Sequence, residues 1–294
     1  MKSSKFLDKD RATWSCKPAS RREPPGWDEC PVPAGGRGNP RIGEEEEMPA
    51  RCDINDDIAV LTMDFGSHNR FNRDFLKSFN GELDALERDG TARALVIIND
   101  SGNYFTEGMD IEWVMTLEKD EIVAFFLDLF RFFHRLFLYP LPVVAAMNGH
   151  AVASGLAFAM CSDYRILREN KAACVFPEVD LHIQPPPGCF RIIFHSLGTR
   201  NTELAFLSGK QYAGETALSM GFADELADAG SIRERAVSVA KEFAAKPTAT
   251  YAAIKRSFRG ATARAMLAED EEFIRSSMDV GMFQGCDLTC LKSL

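Results

Sequence analysis

Two stretches carry residue types whose spacing could act on an oxygen that gains negative charge: FTEGMD at Phe105–Asp110 and VVAAMNGHAVASGLAFAMCSD at Val143–Asp163. In the longer one, an apolar run, Val143–Met147, passes through an Asn148-Gly149 turn into small residues, Ala151, Ala153, Ser154 and Gly155, that open an apolar helix. Small residues between a strand and a helix let a ligand approach backbone N–H groups, and the helix dipole favours negative charge there. In the shorter one, Gly108 stands just before Met109, after another apolar run at Ala94–Ile98. Two such turns facing one another would aim two N–H donors at one oxyanion, a device that stabilises an enolate or a tetrahedral oxygen. In FPEVDL, Glu178 follows Pro177 and so begins a turn or helix. Its neighbours Val175, Phe176, Val179 and Leu181 would desolvate it and raise its pKa. A single glutamate without further context is most often solvated surface.

The elements that would position these residues alternate in type. Ile58, Val60 and Thr62 alternate with Ala59, Leu61 and Met63, which reads as a strand. Arg73–Arg88 has helical spacing (Phe75, Phe79, Leu83, Leu86) with Asn72 as its cap. Ala94–Ile98, Val143–Met147 and Tyr164–Arg168 read as further strands with helices between them, giving an α/β fold with right-handed crossovers. Near the C-terminus, Tyr251–Phe258 and Met266–Met278 read as two helices. Residues 1–50 differ: seven prolines, the Gly35-Gly36 pair and the acidic run Glu44–Glu47 predict a disordered extension.

Composition narrows the function classes. A chain of 294 residues with 46% hydrophobic content can bury one sizeable core. A formal charge of −9 without a basic stripe argues against nucleic acid. Eight scattered cysteines with no C-x-x-C pair predict reduced thiols and no zinc or other metal site. The most apolar window, Ile122–Leu138, holds Asp128, Arg131, His134 and Arg135, so no membrane span is expected. A cytoplasmic location is the expectation. Peroxisomal and mitochondrial placement stay open, since the terminal Leu-Lys-Ser-Leu resembles without matching a Ser-Lys-Leu address.

From about Ile54 to its end, the chain resembles the enoyl-CoA hydratase/isomerase (crotonase) superfamily. The resemblance rests on both turn motifs, on FPEVDL at Phe176–Leu181, and on LSGKQYAGETALSMGFADE at Leu207–Glu225. It implies a spiral of repeated ββα units over residues 51–246 and a C-terminal helical region, 247–294, used in assembly as a homotrimer or hexamer. It also implies that the oxyanion donors are the backbone amides of Met109 and Ser154, Ser154 replacing the middle glycine of the family's usual run of three. Family hydratases carry two glutamates; the first of those positions is Ala157 here and the second is Glu178. Adding water benefits from two proton-handling groups, whereas shifting a double bond needs one. This one-glutamate pattern resembles the Δ3,Δ2-enoyl-CoA isomerases.

The implied partner is therefore an acyl-CoA thioester, with CoA arriving as part of the substrate and no separate cofactor. Gly108, Gly155, Trp113, Phe105 and Ala157 are expected beside it. Some of Phe125, Phe126, Phe130, Phe132, Phe133 and Phe137 would line an acyl tunnel. Two alternatives remain. One is a hydratase, or another reaction of the family, using Glu178 with a second group, for which His182 is the first candidate. The other is a silent member that binds acyl-CoA without turnover. Asp110 reads as a helix cap, and His150 and Asp163 as structural residues.

Overall fold

The computed structural model describes residues 50–99 and 103–278, all of which fall in one unit, Glu47–Leu294. The expectations for residues 1–49 and for the terminal Leu-Lys-Ser-Leu lie outside the described residues. Along the chain, β1 (Ala50–Asn55) and β2 (Ile58–Met63) form an antiparallel hairpin, and β3 (Arg70–Phe71) leads into α1 (Arg73–Asp89). Next come β4 (Ala94–Asn99), β5 (Tyr104–Thr106), β6 (Gly108–Met109), α2 (Ile111–Val114) and α3 (Lys119–Phe137). The third unit is β7 (Val143–Met147), β8 (His150–Val152) and α4 (Ser154–Met160), and the fourth is β9 (Tyr164–Arg168), β10 (Ala173–Val175) and α5 (Pro187–Ser208). β11 (Gln211–Ala213), α6 (Gly214–Met220), β12 (Glu225–Ala227), α7 (Ile232–Ala244) and α8 (Thr248–Ser277) complete the described chain.

After the β1–β2 hairpin, the pairs β4 and β5, β7 and β8, and β9 and β10 each divide between two sheets, which is what winds the chain into a spiral. The larger sheet has the order β1-β2-β4-β7-β9-β12 and the smaller β11-β10-β8-β5, while β3 and β6 pair separately. From β2 onward the larger sheet is parallel and covered on both faces. The alternation in β2 accordingly separates two cores rather than core from solvent. Ile58 and Val60 pack with Ile232, Ala236 and Val239 of α7, and Ala59, Leu61 and Met63 join the main cluster.

Local signals explain the helix ends. The Asn72 side chain accepts from the Phe75 amide at 3.0 Å, and α1 closes at Gly90, whose left-handed φ of 69° lets its amide reach Leu86 O. Two expectations are corrected. The Asn148-Gly149 turn does not lead directly into a helix; it transfers the chain to β8 of the smaller sheet first. The two C-terminal helices are one, α8, thirty residues long and continuous through Gly260, because it packs lengthwise on α3 and α5. Among the described residues, no helix is long and apolar enough to cross a membrane.

Candidate active site

β5 and β8 run side by side in parallel, with Thr106 opposite Ala151, so the turns that leave them emerge together. The two turns touch at their glycines. A Cβ on Gly155 would lie 2.6 Å from Thr106 O, and one on Gly108 would lie 2.9 Å from both Gly155 N and Val152 O. Gly108 also needs glycine for its φ of +90°. Most amides of the first turn are committed to the fold: Glu107 N–H donates to His68 O, Gly108 N–H to Thr106 Oγ1 and Asp110 N–H to Phe71 O. Met109 N–H donates to the Ser154 hydroxyl oxygen at 2.9 Å. Ser154 N–H, the first of α4, has no acceptor among the described residues. Asp110 is a cap, accepting from Trp113 N–H at 3.2 Å.

Ala153 sets the direction of the Ser154 amide with φ 51° and ψ −126°, a conformation that suits glycine. Ala153→Gly should therefore raise stability by about 1 kcal/mol, the relieved strain less the entropy that glycine adds. Urea denaturation measures this, and a loss of stability would show that Ala153 sits there without strain.

Glu178 follows β10 in a turn held by Leu181 N–H to Pro177 O and Ile183 N–H to Glu178 O. It is 7% exposed, and its Oε2 is buried without a hydrogen-bond partner. Burial pushes its pKa up to about 8, opposed in part by its own backbone amide. A carboxyl group poised there can both take and return a proton near neutral pH.

A cavity brings these pieces together, with about 700 Å³ of empty space once the open solvent at its mouth is included. Met109, Ala153, Ser154 and Glu178 border it, with Phe126, Leu129 and Phe130 of α3 and Leu181, Ile183, Pro185, Pro186 and Cys189 supplying apolar walls, the polar Gln184 among them and Met278 closing one side. Two of the six phenylalanines of α3 thus face the cavity; the others pack in the core, with Phe132 and Phe133 against Phe158 of α4.

Several expected neighbours of the substrate do not border this cavity. Phe105 is fully buried and stacks on Phe158, and Trp113 packs edge-on against Phe125. Ala157 is fully buried inside α4, and Gly108 and Gly155 serve the contact between the turns. His182 is exposed and absent from the lining, while Leu181 and Ile183 on either side face in. His150 is structural: its Nδ1 accepts from Ala173 N–H at 3.2 Å, and burial, then the Arg168 charge, lowers its pKa.

Glu107 was missed. It borders the cavity with its side chain 7% exposed, and accepts from Arg70 Nε at 2.5 Å, with His68 Nδ1 at 3.4 Å. Its position inside FTEGMD was the only sequence signal. The ion pair that lets a carboxylate sit there depends on Arg70, far along the chain.

The family model for enoyl-CoA hydratase/isomerase matches residues 53–284, and the chain belongs to that family. An enoyl-CoA delta isomerase 3 of Arabidopsis thaliana is 30% identical over 68% of this chain and 88% of its own length. A putative enoyl-CoA hydratase of Thermus thermophilus is 32% identical over 55% of this chain and 64% of its own. In fold, the human mitochondrial Δ3-Δ2-enoyl-CoA isomerase superposes with a TM-score of 0.76, at 23% identity, over 83% of this chain and 98% of that one.

Proposed function

We propose that the protein is an acyl-CoA isomerase that moves a double bond from the 3,4 to the 2,3 position of an enoyl-CoA thioester. The observation that carries this reading is Glu178, a buried carboxyl group on the cavity with a free Oε2, while Ala157 stands at the other position where family hydratases carry a glutamate. The two turns at Met109 and Ser154 would hold the thioester oxygen and acidify the C2 proton. Glu178 would remove that proton, leaving a dienolate with its charge on the oxygen, and would return it at C4. The proton count balances with no water consumed. No metal or redox group has a role in this scheme, and CoA is carried in by the substrate. An assembly of three or six copies fits the same reading, because Leu207 on α5 and Ile254 and Phe258 on α8 expose apolar side chains that a second copy would cover.

A second reading, hydration, is favoured by Glu107, which puts another carboxylate on the same cavity. Incubation with 3-enoyl-CoA and, separately, with 2-enoyl-CoA decides between them. Isomerisation produces the absorbance of a conjugated thioester from the first and leaves the second unchanged. Faster hydration of 2-enoyl-CoA than isomerisation of 3-enoyl-CoA would overturn the isomerase reading, and Glu107→Gln should then abolish the hydration.

A further inference from the structure

An oxyanion hole made of two amides needs both N–H groups uncommitted, and here one is engaged by a side chain. Met109 N–H points at Ser154 Oγ, 2.9 Å away, where a thioester oxygen would otherwise sit. The hydroxyl is held closely against the turn: a Cβ at Gly108 would come within 2.7 Å of it, so the bare glycine is what leaves it room. A serine hydroxyl can accept one bond and donate another. No acceptor for the Ser154 hydroxyl proton is found among the described residues, and Ser154 borders the cavity.

Resting on the acyl-CoA reading above, we propose that the Ser154 hydroxyl is a catalytic donor: it bonds the thioester oxygen directly, while Met109 N–H stands behind it and polarises it. The oxygen then receives two bonds from one residue, from Ser154 N–H and Ser154 O–H. Ala153, in its left-handed conformation, fixes the direction of that residue. As the C2 proton leaves and charge gathers on the oxygen, the hydroxyl bond shortens and strengthens. The chain Met109 N–H to Oγ–H to oxygen is cooperative, each bond making the next donor more acidic. The hydroxyl proton stays on Oγ throughout, so no bond is broken or formed at Ser154.

Ser154→Ala and Ser154→Gly provide the test, since both keep the backbone amide and both release Met109 N–H. A hole of two amides would work as well or better in these variants. The hydroxyl donor instead predicts that kcat for 3-enoyl-CoA falls about 10- to 100-fold, less than for outright loss of a donor because Met109 N–H partly substitutes. A readout without turnover accompanies it: the infrared carbonyl band of a saturated acyl-CoA, carbon-13 labelled at the thioester, bound to each protein. The band should lie at lower frequency on the native protein and move back towards its solution position in both variants. Native rates in both variants, or an unmoved band, overturn the hydroxyl donor while leaving isomerisation of 3-enoyl-CoA by the native protein intact. Failure of the native protein to bind the saturated acyl-CoA overturns the acyl-CoA reading and the donor with it.

Discussion

Glu178→Gln should lower kcat for isomerisation of 3-enoyl-CoA by about 10³-fold, since the amide keeps the shape but cannot accept a proton. Binding of a saturated acyl-CoA should survive. In the native protein kcat/KM should rise with pH and level off above about 8, the value to which burial pushes this carboxyl group. The base must be ionised to act, so the ascending limb belongs to Glu178 and should vanish from the residual activity of the variant. Stability should change in the opposite sense. Below about pH 4.5 the carboxyl group is neutral in the folded and unfolded chains alike; between there and about 8 the unfolded chain loses its proton first, so stability falls as pH rises. Glutamine has no such charge to bury, and the variant should be the more stable protein at about pH 8 and above, by an amount on the order of a few kcal/mol. A near-native rate, or an ascending limb that persists in the variant, would place the base elsewhere, with Glu107 the next carboxylate on the cavity.

The sequence revealed those parts of the fold that repeat a period for long enough. α1 and the strands β2, β4, β7 and β9 were legible because each shows several turns of apolar spacing or an unbroken apolar run between breakers. β5, β6, β8, β10, β11 and β12 are two or three residues long, too short to show a period, and they exist because the neighbouring strand or turn supplies their hydrogen bonds. In the site, the two turns and Glu178 could be read because their chemistry is local: glycine, small residues and a carboxylate among apolar neighbours. What could not be read depends on partners distant in sequence. Glu107 is tolerated on the cavity through Arg70, and the Met109 amide is engaged through Ser154, forty-five positions away. Trp113 and Phe105, expected beside the substrate, do not border the cavity. They lie beside the motif in sequence, but the Phe105 ring is fully buried on Phe158 and the half-buried Trp113 ring packs edge-on against Phe125.

Asp163→Ala should cost about 3–5 kcal/mol of stability, because it would strand two buried cations. The Asp163 side chain, 8% exposed, accepts from Lys255 Nζ at 2.6 Å and from Val143 N–H at 2.8 Å, and pairs with Arg259 at 3.0 Å. Lys255 and Arg259 both come from α8, so this one carboxylate fastens the last helix to the entries of β7 and β9. Arg259 would keep its bonds to Phe137 O, Cys161 O and Ser162 O, and Lys255 its bond to Leu141 O. Neither set supplies a compensating negative charge. Burial already lowers the Lys255 pKa from 10.5 to about 8, against the pull of Asp163. Removing the carboxylate would lower it further while the unfolded value stays in place. Over the range between the two folded values, the unfolded variant binds more protons than the folded one, and its stability rises with pH where that of the native protein does not. The deficit should therefore be larger at about pH 6 than at about pH 9. Asp163→Asn, which keeps an acceptor for Val143 N–H, should show the same pH trend with a smaller loss. Urea denaturation of the three proteins at the two pH values measures all of this. A loss below about 1 kcal/mol, or one that does not change with pH, would mean that packing of α8 on α3 and α5 holds the helix without the ion network.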